Sequence, residues 1–370
     1  MNWSSVNLPE ICRPKQWPTI PKTKMLSSGY TVYGANGKIG YYSEYNHEEA
    51  TVLITCRGAT CGSINVCEPN SYVTGNAMAL DNLDKDQVSL RFLTHILKSA
   101  DFSKVITGVA QPQITRQSLA RLQIPLPPLA EQKRIAGILD AADALRAKRR
   151  ESLADLDTLL QSTFIDMFGN PMTNPMGWEV CTLEEATTRV TDGTHQSPKW
   201  SKGGIPFLFV SNIRNRQIDF KTSKFIAEDE YSKLTKRCPI EVGDVLYTTV
   251  GSYGNPATVR EGTRRFAFQR HIAHIKPKHD LIDSMFLENM LDSPIGRHQA
   301  DRLARGVAQK TLNLRELKSF NIFLPPLREQ HRFATIVKSI EQQKSRQRTH
   351  LAELDTLFAS LQQRAFNGEL

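Results

Sequence analysis

The sequence predicts an α+β protein in which two mixed α/β domains are each followed by a long helix. The two helices are expected to pair as an antiparallel coiled coil with pseudo-twofold symmetry. The stretch PPLAEQKRIAGILD at Pro127 returns as PPLREQHRFATIVK at Pro325, with eight of fourteen positions identical and an offset of 198 residues. Apolar residues recur in both copies at spacings of three and four, as on one helix face. Before each copy, short β-rich runs alternate with glycine turns.

The domain organisation follows from this repeat. A chain of 370 residues is expected to hold two to three domains. WSSVNLPE at Trp3 resembles WEVCTLEE at Trp178, whereas similarity nearly vanishes further inside the two segments. Similar ends with dissimilar interiors suggest two modules that recognise different targets and are attached to the protein in the same way. The predicted segments are a first domain over 1–125, a first long helix over 126–170, a second domain over 171–323 and a second long helix over 324–370.

The helices have local start and stop signals. A double proline can only precede or begin each helix, and glycine at Gly169 and Gly368 predicts the ends. From Leu129 to Phe168, the first helix would be roughly 60 Å long at about 1.5 Å per residue, the length of roughly eighteen base pairs at about 3.4 Å each. A narrow apolar stripe on so long a helix requires a partner, and the other copy is the obvious one. The predicted seam comprises Ile135, Leu139, Ala142, Leu153, Leu156 and Leu160, and Phe333, Val337, Ile340, Leu351, Leu354 and Phe358.

Polar residues interrupt the seam at the same place in both copies. Arg146 and Arg149 occupy seam positions in the first copy, and Lys344 and Gln347 in the second. One interpretation is a wider, wetter waist where long side chains reach solvent. The other is a contact with DNA phosphates or with a partner subunit.

Composition limits the class of protein. The net charge of +9 and a pI of about 9.2 suit a polyanionic partner. The chain begins without a basic, then apolar, leader and contains no apolar run of membrane-spanning length, so we expect a cytoplasmic protein with reduced cysteines and no membrane partner. Cys56, Cys61 and Cys67 lack the close pairing of a structural zinc site, so buried thiols are expected and no metal.

Enzyme motifs are missing from the sequence. It contains no NPPY-type tetrapeptide, no FxGxG loop and no GxxxxGK[ST] phosphate loop. His195 and His271 do not lie beside a recognisable nucleophile motif. We therefore expect no catalytic residue and no cofactor in this chain, which argues against an autonomous methyltransferase or nuclease.

The chain resembles the specificity subunit of a type I restriction–modification system. The resemblance is carried by the two PPLxEQxR helix starts, the LA-acidic-LDTL segments, the GVAQ loops and the FNGEL ending. YTVYGANGKIGYY, DGTHQSP and PFLFVSNI add to it inside the modules. It covers essentially the whole chain, and its specificity lies in the order and duplication of the motifs.

The resemblance implies a division of labour. Each variable segment would be a target recognition domain for one half of a split, asymmetric sequence in double-stranded DNA. The helices would space the half-sites and bind modification (methyltransferase) subunits, which use S-adenosylmethionine to methylate adenine. Restriction (translocase/endonuclease) subunits would add ATP- and Mg-dependent translocation and cleavage. The alternative left open is a scaffold that holds two partner proteins apart without binding DNA.

Base reading needs Arg or Lys for guanine and Asn or Gln for adenine, and we looked for these in polar turns. The alternative at each position is a solvated loop or a phosphate contact without specificity. Gln111 and Gln309 belong to the repeated GVAQ loop, so we expect them to position the backbone or the module rather than to distinguish half-sites. The candidate DNA-binding residues are Asn36, Lys38, Arg57 and Gln111 in the first module, and His195, Lys199, Asn212, Arg214, Arg216, Gln269, Arg270 and Gln309 in the second.

Overall fold

The computed structural model describes residues 3–108, 111–307 and 309–370. The chain forms two compact units, which we call the first unit (1–151 and 348–370) and the second unit (152–347). Both long helices cross the division, so each unit contains a segment of both. No helix in the described part of the chain combines the length and apolar character needed to cross a membrane.

The first unit contains most of the elements before the first long helix. Its strands are β1 (Ser4–Asn7), β2 (Arg13–Gln16), β3 (Tyr30–Gly34), β4 (Gly37–Tyr42), β5 (Val52–Thr55), β6 (Ile64–Val66), β7 (Tyr72–Val73), β8 (Ala77–Asp81) and β9 (Gln123–Leu126). Its short helices are α1 (Leu8–Ile11), α2 (Leu90–Ser99) and α3 (Arg116–Leu119), and the first long helix is α4 (Leu129–Phe168).

The second unit contains the elements between the long helices. Its strands are β10 (Glu179–Thr182), β11 (Thr187–Asp192), β12 (Trp200–Ser201), β13 (Ile205–Leu208), β14 (Ile213–Arg214), β15 (Gln217–Ile218), β16 (Phe225–Ile226), β17 (Val245–Thr248), β18 (Pro256–Thr258), β19 (Ala267–Phe268), β20 (Ile272–Pro277) and β21 (Asn321–Leu324). Its helices are α5 (Glu228–Thr235), α6 (Ser284–Asp292), α7 (Pro294–Leu303) and α8 (Leu314–Lys318), and the second long helix is α9 (Leu327–Asn367).

The two units share one topology. An antiparallel four-stranded sheet has the order β2-β8-β5-β6 in the first unit and β11-β20-β17-β18 in the second. A second sheet, β4-β3-β7 in the first unit and β12-β16-β13-β19 in the second, contains one parallel pair, β3 with β7 or β13 with β19. The strand before each double proline pairs with the strand near the start of its module, as β1-β9 and β10-β21. The modules are therefore more alike in structure than their sequences indicated.

The central strands explain why a sheet forms at these sequences. VLIT in β5 and VLYT in β17 are buried at every position. Runs of β-branched and aromatic residues fit a pleated surface that is covered on both faces. A helix follows the strands of each four-stranded sheet, α2 in the first unit and α6 in the second. Each unit is thus a mixed α and β domain, as the sequence predicted.

The similar edges WSSVNLPE and WEVCTLEE form similar turns. In the first unit, the Asn7 N–H donates to Glu10 Oε1 at 3.0 Å. In the second unit, the Thr182 N–H donates to Glu185 Oε2 at 2.7 Å, and the Glu185 N–H donates back to Thr182 Oγ1 at 3.2 Å. A polar residue followed by Glu three positions later satisfies the free N–H groups at the start of a turn.

The long helices pair antiparallel within each unit. In the first unit, Arg134 donates to the Leu370 carbonyl and Arg146 to Asp355, so position numbers fall on one helix as they rise on the other. In the second unit the Phe164 and Phe333 rings lie 5.4 Å apart, and Asp157 accepts from Lys344. The predicted fold class is therefore confirmed in each unit. The pseudo-twofold relation between the units stays a prediction.

A buried glutamine anchors the start of each long helix. Gln132 is fully buried: its Oε1 accepts from the Ser89 N–H at 2.9 Å, and its Nε2 donates to the Gln87 and Pro127 carbonyls, each at 2.8 Å. This amide joins the helix to the loop that begins α2. The glutamine of the repeated EQ pair thus has a structural role.

The second unit repeats this anchor. Gln330 Oε1 accepts from the Asp283 N–H at 2.8 Å, and its Nε2 donates to the Leu281 and Pro325 carbonyls at 3.2 and 2.7 Å. These contacts hold the start of α9 against the loop that begins α6.

The interrupted seam forms two equivalent layers of ion pairs. In the first unit, Arg146 contacts Asp143 at 2.7 Å and Asp355 at 2.6 Å. In the second, the residues that correspond at the repeat offset of 198 form the same pattern: Lys344 contacts Glu341 at 3.0 Å and Asp157 at 2.6 Å. The Lys344 side chain is only 2% exposed, so the expectation of a wet waist is wrong at this position. The carboxylates offset the cost of burying its charge.

Candidate nucleic-acid interface

In the first unit, three polar loops join into one cluster. Thr60, in the loop after β5, donates from Oγ1 to Asn36 Oδ1 at 2.6 Å, which ties that loop to the turn between β3 and β4. The backbone of Arg57, in the same loop, pairs with Gln113, and the Gly58 N–H donates to the Pro112 carbonyl at 3.1 Å. The cluster therefore presents exposed Asn36, Arg57 and Gln111.

The repeated GVAQ loops have a backbone that requires glycine. Gly108 and Gly306 have φ values of +84° and +112°, a region that side chains disfavour. A Cβ at either glycine would collide with the carbonyl oxygen of Gln111 or Gln309. Val109, Ala110 and Ala308 of the two motifs lie outside the described residues.

The second unit builds its cluster on the same frame. The Gly251 N–H donates to the Lys310 carbonyl at 3.0 Å, and Val250 pairs with Thr311 as Arg57 pairs with Gln113 in the first unit. The equivalent backbone position thus carries an arginine in one unit and a valine in the other.

Two further segments join the second cluster. The Thr194 N–H donates to the Phe268 carbonyl at 3.2 Å, and the Arg270 N–H donates to the Thr194 carbonyl at 3.1 Å. The Thr249 N–H donates to the His271 carbonyl at 2.9 Å, which connects this turn to the loop after β17. The candidates His195, Gln269, Arg270 and Gln309 are thereby brought onto neighbouring loops.

In the second cluster, neighbouring side chains affect the pKa of His271 and the orientation of Arg270. Burial lowers the pKa of His271, and the nearby Arg270 and His195 lower it further. Arg270 donates from Nε to His271 Nε2 at 3.2 Å, which requires a neutral acceptor nitrogen. His195 Nε2 lies 2.9 Å from Asp192 Oδ2. Arg270 is therefore oriented by a neutral histidine while its remaining N–H groups can face an acceptor such as a phosphate or a guanine edge.

Three other candidates are accessible but lie on separate elements. Lys38 on β4 is exposed and contacts Glu68 at 2.6 Å, and this hydrogen bond raises the pKa of the lysine. The exposed Lys199 donates through its backbone N–H to Glu230 at 3.2 Å. Arg214 on β14 is also exposed. DNA contact by these residues stays a prediction.

The placement of Asn212 does not suit base reading. Its residue surface is 5% exposed. Its Oδ1 accepts from the Phe209 N–H at 2.9 Å, and its Nδ2 donates to the Asp219 and Lys221 carbonyls at 2.8 and 3.0 Å. A buried amide whose groups are occupied by the backbone organises its own loop, so we withdraw it as a base-contact candidate.

Arg216 is withdrawn as a base-contact candidate for a similar reason. Its side chain is 11% exposed, and its Nη1 donates to Asn289 Oδ1 at 2.7 Å. Three carboxylates lie within 4 Å: those of Asp157, Asp292 and Glu341. The guanidinium therefore faces helices of its own unit.

Sequence reasoning missed the correspondence of the loops after β5 and β17. TCRGATCG starts at Thr55 and TTVGSYGN at Thr248, and Gly58 corresponds to Gly251. The offset between these two loops is 193 residues, whereas the helix repeat has an offset of 198, because the inner segments differ in length. The signal that could have revealed the correspondence is small: in both loops a Thr at the end of a buried strand is followed by a Gly at the same spacing.

The residues that the structure describes contain no group of three or more His, Cys, Asp or Glu side chains arranged to hold a metal ion. All six cysteines are free, and Cys56 and Cys67 are buried. Burial raises the pKa of both thiols, which favours the protonated form.

Comparison with known proteins gives consistent results. Residues 1–154 and 175–355 match the family model of the type I restriction modification DNA specificity domain. A type I restriction enzyme specificity subunit of Escherichia coli is 27% identical over 382 residues, covering 93% of this chain and 76% of that protein. Another from Methanocaldococcus jannaschii is 24% identical over 318 residues, covering 79% and 72%.

Solved structures show the same fold. The S subunit of a type I restriction–modification system from M. genitalium has a TM-score of 0.62 at 17% identity, covering 99% of this chain and 96% of that chain. A chain from a second solved type I system has a TM-score of 0.55 at 19% identity, covering 100% and 98%.

Proposed function

The chain belongs to the family of type I restriction–modification DNA specificity proteins, and on that basis we propose a specific role within such a system. It is the non-catalytic subunit that recognises a bipartite, asymmetric site in double-stranded DNA. By binding that site, it directs adenine methylation and restriction by its partner subunits in the cytoplasm.

One observation supports this proposal above the others. Two units share a sheet topology and a loop frame, and that frame carries different side chains at equivalent positions, as at Arg57 and Val250. A repeated frame gives both modules the same way of approaching a duplex. Different side chains on it suit two unlike half-sites, because base identity is read by side chains and position by backbone contacts.

The recognition chemistry differs between the clusters. In the first unit, Arg57 is the candidate for a guanine and Asn36 for an adenine. In the second unit, Arg270 is the candidate for a guanine and Gln269 for an adenine, and His195 lies beside them. Of the two roles that their repetition left open, positioning the module or contacting the DNA backbone, we assign the backbone contact to Gln111 and Gln309.

The outer faces of the long helices are proposed to bind the modification subunits. Leu159 and Leu357 occupy equivalent positions and are 50% and 49% exposed, and Leu145 is 54% exposed. Leucines in water on a helix that already has a partner suit a further protein surface. The modification subunits would contribute S-adenosylmethionine chemistry, and restriction subunits would contribute ATP and Mg; this chain would contribute the site.

Co-expression with the modification subunits tests the proposal. Genome-wide detection of methylated adenine should give a split motif with two unlike halves and a constant gap, absent when this chain is omitted. Replacing residues 1–125 with those of a relative should change one half only. Arg57→Ala should reduce discrimination in that same half about tenfold, because a bidentate base contact contributes about 1–3 kcal/mol.

Arg121→Ala is the matched control, since Arg121 is exposed in the same unit but on another loop. It should leave the motif unchanged. The scaffold alternative predicts a different outcome: a complex that assembles, produces no new methylation and shows no salt-dependent binding to DNA. That result would overturn the proposal.

A further inference from the structure

The hairpin of β14 and β15 in the second unit has an unusual turn. Asn215 and Arg216 form its tip with φ values of +51° and +57°. Two-residue hairpin turns with both residues in this region are common when they contain Asn and Gly. Asparagine tolerates the conformation, whereas arginine is disfavoured there. A disfavoured residue held in such a conformation points to side-chain contacts that require it.

The contacts of Arg216 extend to three helices. Nη1 donates to Asn289 on α6 at 2.7 Å, and Nε lies 3.7 Å from Asp292 on the same helix. Nη2 lies 3.6 Å from Asp157 on α4 and 3.9 Å from Glu341 on α9. A planar guanidinium presents five N–H donors in a fixed fork, which suits acceptors that lie on several helices.

These contacts connect the hairpin to the ion-pair layer of the long helices. Asp157 and Glu341 are the two carboxylates that also pair with the buried Lys344. In the first unit, the equivalent Arg146 pairs with carboxylates of the two helices and lies 4.3 Å from the Phe358 ring. The contact between the arginine of the β14–β15 hairpin and the ion-pair layer is thus a feature of the second unit.

The hairpin has a second, independent attachment. Ile213 is fully buried in an apolar cluster of the second unit, and Ile218 packs against that cluster. Loss of Arg216 should therefore change the orientation of the hairpin without detaching it. Arg214, on the same hairpin, is exposed and remains a candidate for DNA contact.

We propose that Arg216 is a positioning residue that couples the recognition hairpin to the long helices. By holding the hairpin, it determines where Arg214 and the neighbouring loops meet the second half-site. This inference rests on the proposed function, and it assigns to Arg216 a role in specificity without contact with DNA.

The test uses the complete complex with its modification subunits. Affinity is measured for the target DNA and for DNAs with single substitutions in each half-site, at several salt concentrations. Arg216→Met should lower discrimination about tenfold at every position of the half-site read by the second unit, and not in the other half-site. The slope of affinity against salt should stay close to the wild-type value, because Arg216 itself contacts no phosphate.

Arg214→Met is the matched control on the same hairpin. It should weaken binding and reduce the salt slope if Arg214 contacts phosphate, or act at one base pair if Arg214 reads a base. Amide hydrogen exchange without DNA gives a second readout: exchange in residues 213–218 should accelerate in Arg216→Met and not in Arg214→Met. Arg216→Lys, which keeps the charge, should restore part of the discrimination and is the variant used if Arg216→Met does not assemble.

Three results would overturn the inference alone while the wild-type complex still discriminates. These are a loss confined to one base pair, which means direct reading; an equal loss in both half-sites, which means general destabilisation; and unchanged hydrogen exchange in the hairpin. A wild-type complex without any sequence preference would overturn the proposed function, and this inference with it.

Discussion

Replacing the buried glutamine that anchors α9 should destabilise the second unit. Gln330→Leu keeps the approximate volume but removes an acceptor from the Asp283 N–H and donors from the Leu281 and Pro325 carbonyls. Each buried polar group that loses its partner costs about 1–3 kcal/mol. Because carbonyls are less sensitive than an orphaned N–H, we expect a total loss of roughly 3–5 kcal/mol.

Urea denaturation monitored by hydrogen exchange measures this effect. A chain with two units need not unfold in one step, so exchange in α6 and in the first turns of α9 locates the loss in the second unit. Gln342→Leu, the same substitution at an exposed position of α9, should change stability by no more than about 0.5 kcal/mol. If Gln330→Leu behaved like this control, the amide would not anchor the helix and our explanation of the repeated EQ pair would be wrong. Gln132→Leu should act in the same way on the first unit.

Three further predictions concern the second unit. Lys344→Met removes the buried cation that pairs with Glu341 and with Asp157, whose side chain is 54% exposed, and should lower the unfolding free energy by about 1–3 kcal/mol. Phe164→Ala removes a buried ring that packs against Phe333, and a loss of about 3–5 kcal/mol in urea denaturation is expected. Asp244→Asn should weaken the acid dependence of stability: burial alone would raise the pKa of Asp244, but hydrogen bonds from His274, the Glu241 backbone and Lys276 outweigh it and lower the pKa below 3.8.

The controls and opposing results are distinct for each. Lys338→Met, at an exposed site on the same helix as Lys344, should be nearly neutral, and equal losses in the two variants would contradict the buried layer. Leu159→Ala, exposed on α4, is the control for Phe164→Ala. For Asp244, the folded-state pKa lies below the unfolded value, so its stabilisation is present above about pH 4 and is lost as pH falls through the folded value. An unchanged acid titration in Asp244→Asn would refute this.

Part of the fold could be predicted because its signals are local. The double prolines, the glycines at Gly169 and Gly368 and the spacing of apolar residues predicted both long helices, and the structure confirms helices at Leu129–Phe168 and Leu327–Asn367. Both glycines adopt positive φ values, as expected just beyond a helix end. Buried runs such as VLIT likewise predicted strands.

The candidate site was predictable only in part. Polar residue types in turns identified the exposed Asn36, Arg57 and Arg270. The same criterion selected Asn212, which is buried, and Arg216, whose side chain is only 11% exposed. Residue type alone does not determine whether a polar group finds its partners in solvent or in the protein. That depends on which distant segments pack around it.

The sequence by itself therefore determined the duplication, the helix ends and the basic charge, since these depend on neighbouring residues and composition. Only the tertiary structure decided that the unlike middles share one sheet topology, that Lys344 pairs with Asp157, and that Arg216 contacts Asn289. Each of these joins positions far apart in the chain. Strand order and buried ion pairs arise from such long-range packing, which the local periodicity of the sequence does not reveal.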